Sequence, residues 1–412
     1  MSDTFQVLVI GGGAAGLGAA HKLAEAGVTY LIVEARPRLG GRAWTVADGF
    51  PLDLGCGWLH SADENPLAKI AADAGWAIDK THPPWTRPSA QPGFPLEEQQ
   101  VFRRAMGEFY QRLDAAEDAP DGPASRLLEN DCRWNPLIDA VSTYTNGVEL
   151  DRLSTRDFAR YQDTRVNWRV TEGYGAMITS LAANSNVALD CPVFEVDHGG
   201  RKIHAHTAKG TLIADAAIVT VSSALIAEER PSFTPALPDK AESAAGLPLG
   251  LANKLFLSLD GAEEFEPDSR IFGRTDTVGT AAYHVRPFGR PMIEAYFGGR
   301  LADDLERQGG RAFIDFATYE LASVLGSDFA SRIRPLRLSQ WRQDEFARGS
   351  YSYALPEHHG DRAKLAAPVD GRIFFAGEAC STESFSTAHG AWLTGRAAAE
   401  QALAAFGAHV HA

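Results

Sequence analysis

At 412 residues the chain exceeds what a single core can fill, so two packed domains are expected. Its formal charge of −14 excludes a phosphate backbone or an anionic membrane as the natural partner, since both need basic surface, and favours cationic small molecules. The four cysteines, Cys56, Cys132, Cys191 and Cys380, form no CxxC pair, which excludes a zinc site or a disulfide framework and reads as reduced thiols.

The N-terminal Met-Ser-Asp-Thr runs straight into the apolar strand Phe5 to Ile10 with no hydrophobic signal core, and no later stretch reaches the ~20 apolar residues that span a bilayer. A cytoplasmic location is expected. Residues 5 to 34 read as strand, Gly-rich turn, helix and strand, a βαβ unit whose helix buries Leu17, Ala20, Leu23 and Ala24. Gly11, Gly13 and Gly16 fill a GxGxxG pattern after the strand and at the opening of the helix. Gly11 permits the tight turn, Gly13 lets a pyrophosphate approach the first helical amides at Ala14 and Ala15, and Gly16 permits close helix packing. Glu34 ends the second strand where it can accept both hydroxyls of an adenosine ribose and would repel a 2′-phosphate. This stretch alone does not separate NAD from FAD.

After Trp58 the pattern changes to helical segments interrupted by Pro83, Pro84, Pro88, Pro92 and Pro95, which marks departure into a second domain. From Val187 to Val221 the period is two, with turns at Gly199-Gly200 and Gly210, predicting an antiparallel meander that ends in the strand Ala217 to Val221 and returns to the first domain. Strands at Lys254 to Leu259 and Pro291 to Phe297 and an amphipathic helix at Arg311 to Leu325 follow. The chain closes with a buried strand Arg372 to Ala376, a turn at Gly377-Glu378 and an Ala-rich helix, Ala388 to Phe406.

The segment Arg36-Pro-Arg-Leu-Gly-Gly-Arg42 resembles the extended signature of the flavin-containing amine oxidases, and it tips the dinucleotide toward FAD through Arg36, Gly40, Gly41 and Arg42. The resemblance continues along the chain, closest in wording to the polyamine oxidase and histone demethylase branch. Asp53 to His60 is similar to the family's stretch under the flavin, which implies cofactor contacts at Gly57 and Trp58. Glu172 to Met177 resembles its re-entry segment, and Pro192-Val193-Phe194 the strand whose valine meets the adenine side. Lys254 falls at the family's active-site lysine, Trp341 to Tyr353 resembles its GSYSY segment, and Phe375 to Ala379 with Ser386 to Ala391 resembles its closing signature. The resemblance implies that Trp341 walls the flavin, that Gly377 and Glu378 lie beside the cofactor, and that Thr387 and Ala388 open a helix toward it. Tyr351 is expected as one wall of an aromatic cage and Lys254 as the holder of a water near the flavin. The plainer alternatives are an edge-strand lysine and a buried core tyrosine. His389 is assigned no catalytic role.

The expected fold class is α/β, a Rossmann-like FAD-binding domain of the glutathione-reductase type with an α+β substrate-binding domain. The first takes residues 1–80, 185–245 and 345–412, and the second 81–184 and 246–344. The resemblance implies oxidation of an amine by hydride transfer to flavin N5, imine hydrolysis and reoxidation by O2 to H2O2, with no metal. The partners are a small-molecule amine and O2, with a homodimer allowed and neither nucleic acid nor membrane. Ser350 stands where mitochondrial relatives carry the flavin-linking cysteine, so FAD is expected to be non-covalent, and Ala388 replaces the second cage tyrosine. Asp53 to His60 lacks the arginine that amino-acid oxidases use for a carboxylate, so a carboxylate-free amine is expected unless Arg160 or Arg165 substitutes. The alternatives are a dehydrogenase or desaturase of the same superfamily and a flavoprotein subunit without turnover.

Overall fold

The computed structural model describes residues 4–410. Its larger sheet is built on the strand Thr4–Ile10, flanked in parallel by Tyr30–Val33 and Gly210–Val219. Alternation sends Val7 and Val9 into one core and Leu8 and Ile10 into another. A strand apolar on both faces needs cover on both, which a parallel interior strand receives. Helices Ala14–Glu25 and Ala388–Val410 cover the first face. Against the second pack Val196, Ile203 and Ala205 of the meander strands Val193–Asp197 and Ile203–Thr207.

The long strand Gly210–Val219 belongs to both layers. Its first half pairs antiparallel with Ile203–Thr207, and its second half pairs parallel with Ile373–Phe375, which brings the C-terminal segment into the sheet. The strand ends at Val219 rather than Val221, because the Thr220 hydroxyl turns back onto the carbonyls of Ile10 and Gly11. The first and last helices cross where both lack side chains. A Cβ on Gly18 would lie 2.4 Å from the Trp392 carbonyl oxygen, and one on Gly395 would lie 1.9 Å from that of Ala15. The buried stripe of the first helix therefore sits in its N-terminal part and stops at Leu23, leaving Ala24, expected inside, exposed.

The second sheet is antiparallel, in the order Ser269–Phe272, Ala282–Val285, Met292–Gly298, Ala252–Leu259, Ile333–Leu338. Leu255, Leu257, Ile293 and Ala295 on one face pack with Phe313, Ala317 and Leu321 of the helix Gly310–Leu325. Beside the opposite face, Phe272 and Ala282 join a helical core built from Leu96–Asp114 and Asn135–Thr145. Val170, Tyr174, Met177 and Ile178, around the segment Glu172 to Met177 read as re-entering the first domain, pack in the first core, within the range 81–184 given to the second. The cause is Asp53, whose carboxylate accepts from the amides of Tyr174 and Gly175 at 2.9 and 3.2 Å.

Candidate active site

One cavity of about 1590 Å³ is lined by residues of both units. It exceeds the roughly 300–1,000 Å³ of a site for one small molecule, so it has room for a dinucleotide and a substrate together. Of the residues singled out in the sequence, Gly11, Gly13, Ala14, Ala15, Glu34, Arg36, Gly40, Gly41, Arg42, Gly57, Trp58, Val193, Lys254, Trp341, Tyr351, Gly377, Glu378, Thr387 and Ala388 all line it. Gly16 does not: a Cβ there would sit 1.9 Å from the Gly11 carbonyl oxygen, so its part is to let the helix close on its own turn.

At one end the loop Gly11–Gly13 meets the arginine-glycine segment, with the Gly40 amide donating to the Gly12 carbonyl at 2.9 Å. The helix that follows has Gly13 as N-cap and no side-chain cap, so its first amides and positive dipole end have no side-chain acceptor. A Cβ on Gly13 would meet nothing nearer than 3.9 Å, and one on Gly377 nothing within 4 Å, so both backbones lie open to the cavity. Glu34 is 4% exposed and clamps the loop, accepting from the amides of Gly12 at 2.7 Å and Arg36 at 2.9 Å. Open glycine backbone at a free helix N-terminus, a carboxylate at the second strand end, and Arg36 and Arg42 beside it fit the phosphates and ribose of an FAD.

Arg42 is positioned by Glu378. Its Nη1 donates to Glu378 Oε1 and to the Ser350 carbonyl, both at 2.8 Å. Glu378 also accepts from the Ser352 hydroxyl at 2.6 Å and the Ser386 amide at 3.0 Å, tying three chain segments together. Burial pushes its carboxyl up, but Arg42, Ser352 and Arg362 more than reverse this and hold it ionised. Thr387 caps the final helix, its hydroxyl accepting from the Gly390 amide at 3.0 Å. The Ser350 hydroxyl is consumed by the backbone of Ala252, donating to its carbonyl at 2.9 Å and accepting from its amide at 2.8 Å.

At the other end, Lys254 projects from the second sheet beneath the Asp53–Gly57 turn. Its ammonium lies 2.9 Å from Glu294 Oε1 and donates to the Asp53 carbonyl at 3.0 Å. Burial lowers its proton affinity, but Glu294, Tyr296 and Asp53 outweigh that and hold it charged. The pair continues as a buried chain: His284 lies 3.7 Å from Glu294 and 2.8 Å from Asp268, and Asp268 lies 2.8 Å from Arg169. Tyr351 donates its hydroxyl to the Tyr144 carbonyl, and burial raises its phenol well above the ordinary value. Trp341 is held edge-on to Trp44 and donates to the Leu54 carbonyl at 3.2 Å, a wall rather than a reacting group. His389 is buried, and burial together with His60 lowers it to about 4, so it is neutral at physiological pH.

Sequence reasoning missed Arg270, His284, Glu294 and Tyr296. All but Glu294 line the cavity, and they come from strands whose one-residue alternation gives polar side chains a common face. Of the two arginines offered for a carboxylate, Arg160 does not line the cavity, and Arg165 is exposed at its rim.

The family model of the flavin containing amine oxidoreductases matches residues 14–129 and 134–403. Polyamine oxidase 3 of Oryza sativa subsp. japonica is 30% identical over 97% of this chain and 89% of that protein. Lysine-specific histone demethylase 1 homolog 1 of Arabidopsis thaliana is 27% identical over 94% of this chain but only 51% of its own length. The structure of a wild-type putrescine oxidase bound to putrescine superposes with a TM-score of 0.80 at 18% identity, covering 98% of this chain and 100% of that one, and shows the same fold.

Proposed function

The chain belongs to the flavin-containing amine oxidoreductase family, and on that premise we propose that it is an amine oxidase using non-covalently held FAD and dioxygen. The observation that carries this is the continuity of one cavity from the glycine cradle at Gly11–Gly13 to Lys254 and Tyr351. The chemistry that the flavin supplies when bound is removal of a hydride from the carbon bearing nitrogen and delivery of the electron pair to O2, leaving an imine that hydrolyses and H2O2.

Gly11, Gly13 and the amides of Ala14 and Ala15 would take the pyrophosphate, Glu34 the ribose, and Arg36 and Arg42 the flanking negative charge. Val193 would meet the adenine side. Ser350 carries no thiol for a covalent link, and its hydroxyl is already bonded on both sides. Lys254 has three N–H donors, of which Glu294 and the Asp53 carbonyl take two, so one is left to hold a water in the cavity. Tyr351 lines the cavity and would offer its ring to the substrate, and Ala388, which also lines it, supplies no second cage tyrosine at its position. The cavity would hold the amine and place its C–H against the flavin, so no acid–base triad is needed. The cytoplasmic location proposed with it rests on the four free cysteines; among the described residues no helix is long and apolar enough to cross a membrane.

The test is to purify the protein, record its flavin spectrum, and add amines under anaerobic conditions. Bleaching by an amine, followed by peroxide release in air, is expected; a colourless protein that cannot be reconstituted with FAD would refute the proposal.

A further inference from the structure

The cavity-facing side of the second sheet carries an ordered row of side chains. In register, Arg270 stands opposite His284, and His284 opposite Glu294; one step along, Phe272 stands opposite Ala282, and Ala282 and Lys254 stand on either side of Tyr296. Arg270 lines the same cavity as Lys254 and Tyr351. Its guanidinium carbon lies 4.0 Å from the centroid of the Phe272 ring, with Tyr144 and Tyr296 nearby. Among the described residues no side chain or carbonyl accepts a hydrogen bond from this guanidinium, and no carboxylate pairs with it; only its backbone amide is engaged, with Ser89.

That isolation is specific to Arg270. The other cations on the cavity wall are matched, Arg36 by Asp344, Arg42 by Glu378, Arg230 by Glu345 and Lys254 by Glu294, or lie exposed at the rim, as Arg103 and Arg165 do. The nearest acid on the sheet face, Glu294, is screened from Arg270 by the intervening His284 and is already spent on Lys254. Arg270 is half-buried, and the removal of water around it lowers its guanidinium to about 10, so it stays charged at neutral pH while no carboxylate compensates it. Its planar fork of donors faces open cavity, the arrangement that takes a carboxylate in two parallel hydrogen bonds.

We infer that the substrate is an amine that also carries a carboxylate, and that Arg270 binds this carboxylate while the amine end lies toward Lys254 and Tyr351. One guanidinium with no second free cation beside it among the described residues matches a single negative charge rather than a phosphate dianion. The missing arginine in Asp53–His60 is thereby supplied from a different element, the strand Ser269–Phe272. The turnover part of this inference rests on the amine oxidase reading; the binding part does not.

The experiment has two arms, each with the FAD-loaded protein and its Arg270→Gln and Arg270→Lys variants. Arg270→Gln removes an unpaired, half-buried charge and is expected to be about as thermostable as the parent, which a melting curve of each variant checks before binding is compared. In the first arm, calorimetry with hexanoate, which has no amine, is expected to show binding weakened about tenfold or more in Arg270→Gln, with partial recovery in Arg270→Lys. Equal hexanoate affinity in all three proteins, or tighter binding of butyl phosphate than of hexanoate, would overturn the inference. In the second arm, kcat/KM is compared for leucine, lysine, 4-aminobutanoate and 6-aminohexanoate against butylamine, hexylamine and 1,4-diaminobutane. The best carboxylate-bearing amine is expected to lead by about tenfold or more, and Arg270→Gln to erase that lead. A lead for the carboxylate-free amines that Arg270→Gln leaves unchanged also overturns it. If neither series bleaches the flavin, the amine oxidase reading fails, while the hexanoate arm still decides the role of Arg270.

Discussion

The ammonium of Lys254 and the carboxylate of Glu294 lie 2.9 Å apart on adjacent strands, each side chain only 10% exposed. They are diagonal neighbours, since Lys254 is in register with Tyr296 and Glu294 with Phe256, which places both on the face turned to the cavity. Two charges in such a place are tolerable only together. The pair is thus both a folding constraint and the support of the proposed water-holding group.

Glu294→Gln leaves the lysine charge uncompensated and is expected to cost about 3–5 kcal/mol of stability, read from urea unfolding at pH 7. The sign with pH follows from the direction of the shift. Burial pushes Glu294 up, but Lys254 and His284 take it from 4.5 down to about 2. A carboxyl depressed on folding contributes stability above its unfolded value and loses it as pH falls through the folded one. Wild-type stability should therefore fall between about pH 4.5 and 2, and less steeply in Glu294→Gln. Asp268, also depressed despite burial, by His284 and Arg169, accounts for the slope that remains. An unchanged slope would show that the pair is not ionised as described.

Lys254→Met is expected to slow the reaction of reduced protein with O2 by roughly 10²-fold while changing anaerobic reduction much less. Stopped-flow traces of the two half-reactions separate these effects. Because Met leaves Glu294 unpaired, the double variant Lys254→Met/Glu294→Gln is the control, and it should recover stability without recovering the oxygen reaction.

Glu378 is bonded to Arg42, Ser352 and Ser386, and through them it would act on the proposed cofactor. Glu378→Ala frees Arg42 and should weaken FAD binding by about tenfold or more, measured by flavin fluorescence during titration of the apoprotein. Affinity within twofold of the parent would remove the positioning role.

At the helix crossing, Gly395→Ala places a methyl carbon against the Ala15 carbonyl, at 1.9 Å before relaxation. The helices must part, at about 1–3 kcal/mol, lowering the thermal midpoint. Ala15 also lines the cavity, so the same variant should retain less flavin on purification.

How much of this was readable in advance differs by region. The Gly11–Glu34 unit was legible because its signals are local: an apolar alternation, glycines at fixed spacing and an acid at the strand end act within one βαβ unit. The re-entry segment Glu172 to Met177 was recognisable by its motif, but what seats it was not, because that depends on the Asp53 carboxylate meeting amides some 120 positions away. Ala24 was misplaced inside because periodicity reports which face of a helix is apolar, not how far along it the partner helix reaches.

From the amino-acid order alone came the glycine cradle, the alternating strands, the family motifs, and the positions of Lys254, Tyr351 and Glu378. Each of these is recorded in residues a few places apart, or in motifs short enough to be recognised whole. What the tertiary structure decided is which charges are matched. Lys254 meets Glu294, Arg42 meets Glu378, and Arg270 meets no acid among the described residues, because strands distant in sequence are set side by side by backbone hydrogen bonds and their alternation then selects the face. An arginine in a four-residue strand looks the same in sequence whether a carboxylate waits across the sheet or not, and only the pairing of strands distinguishes a structural ion from one left free for a ligand.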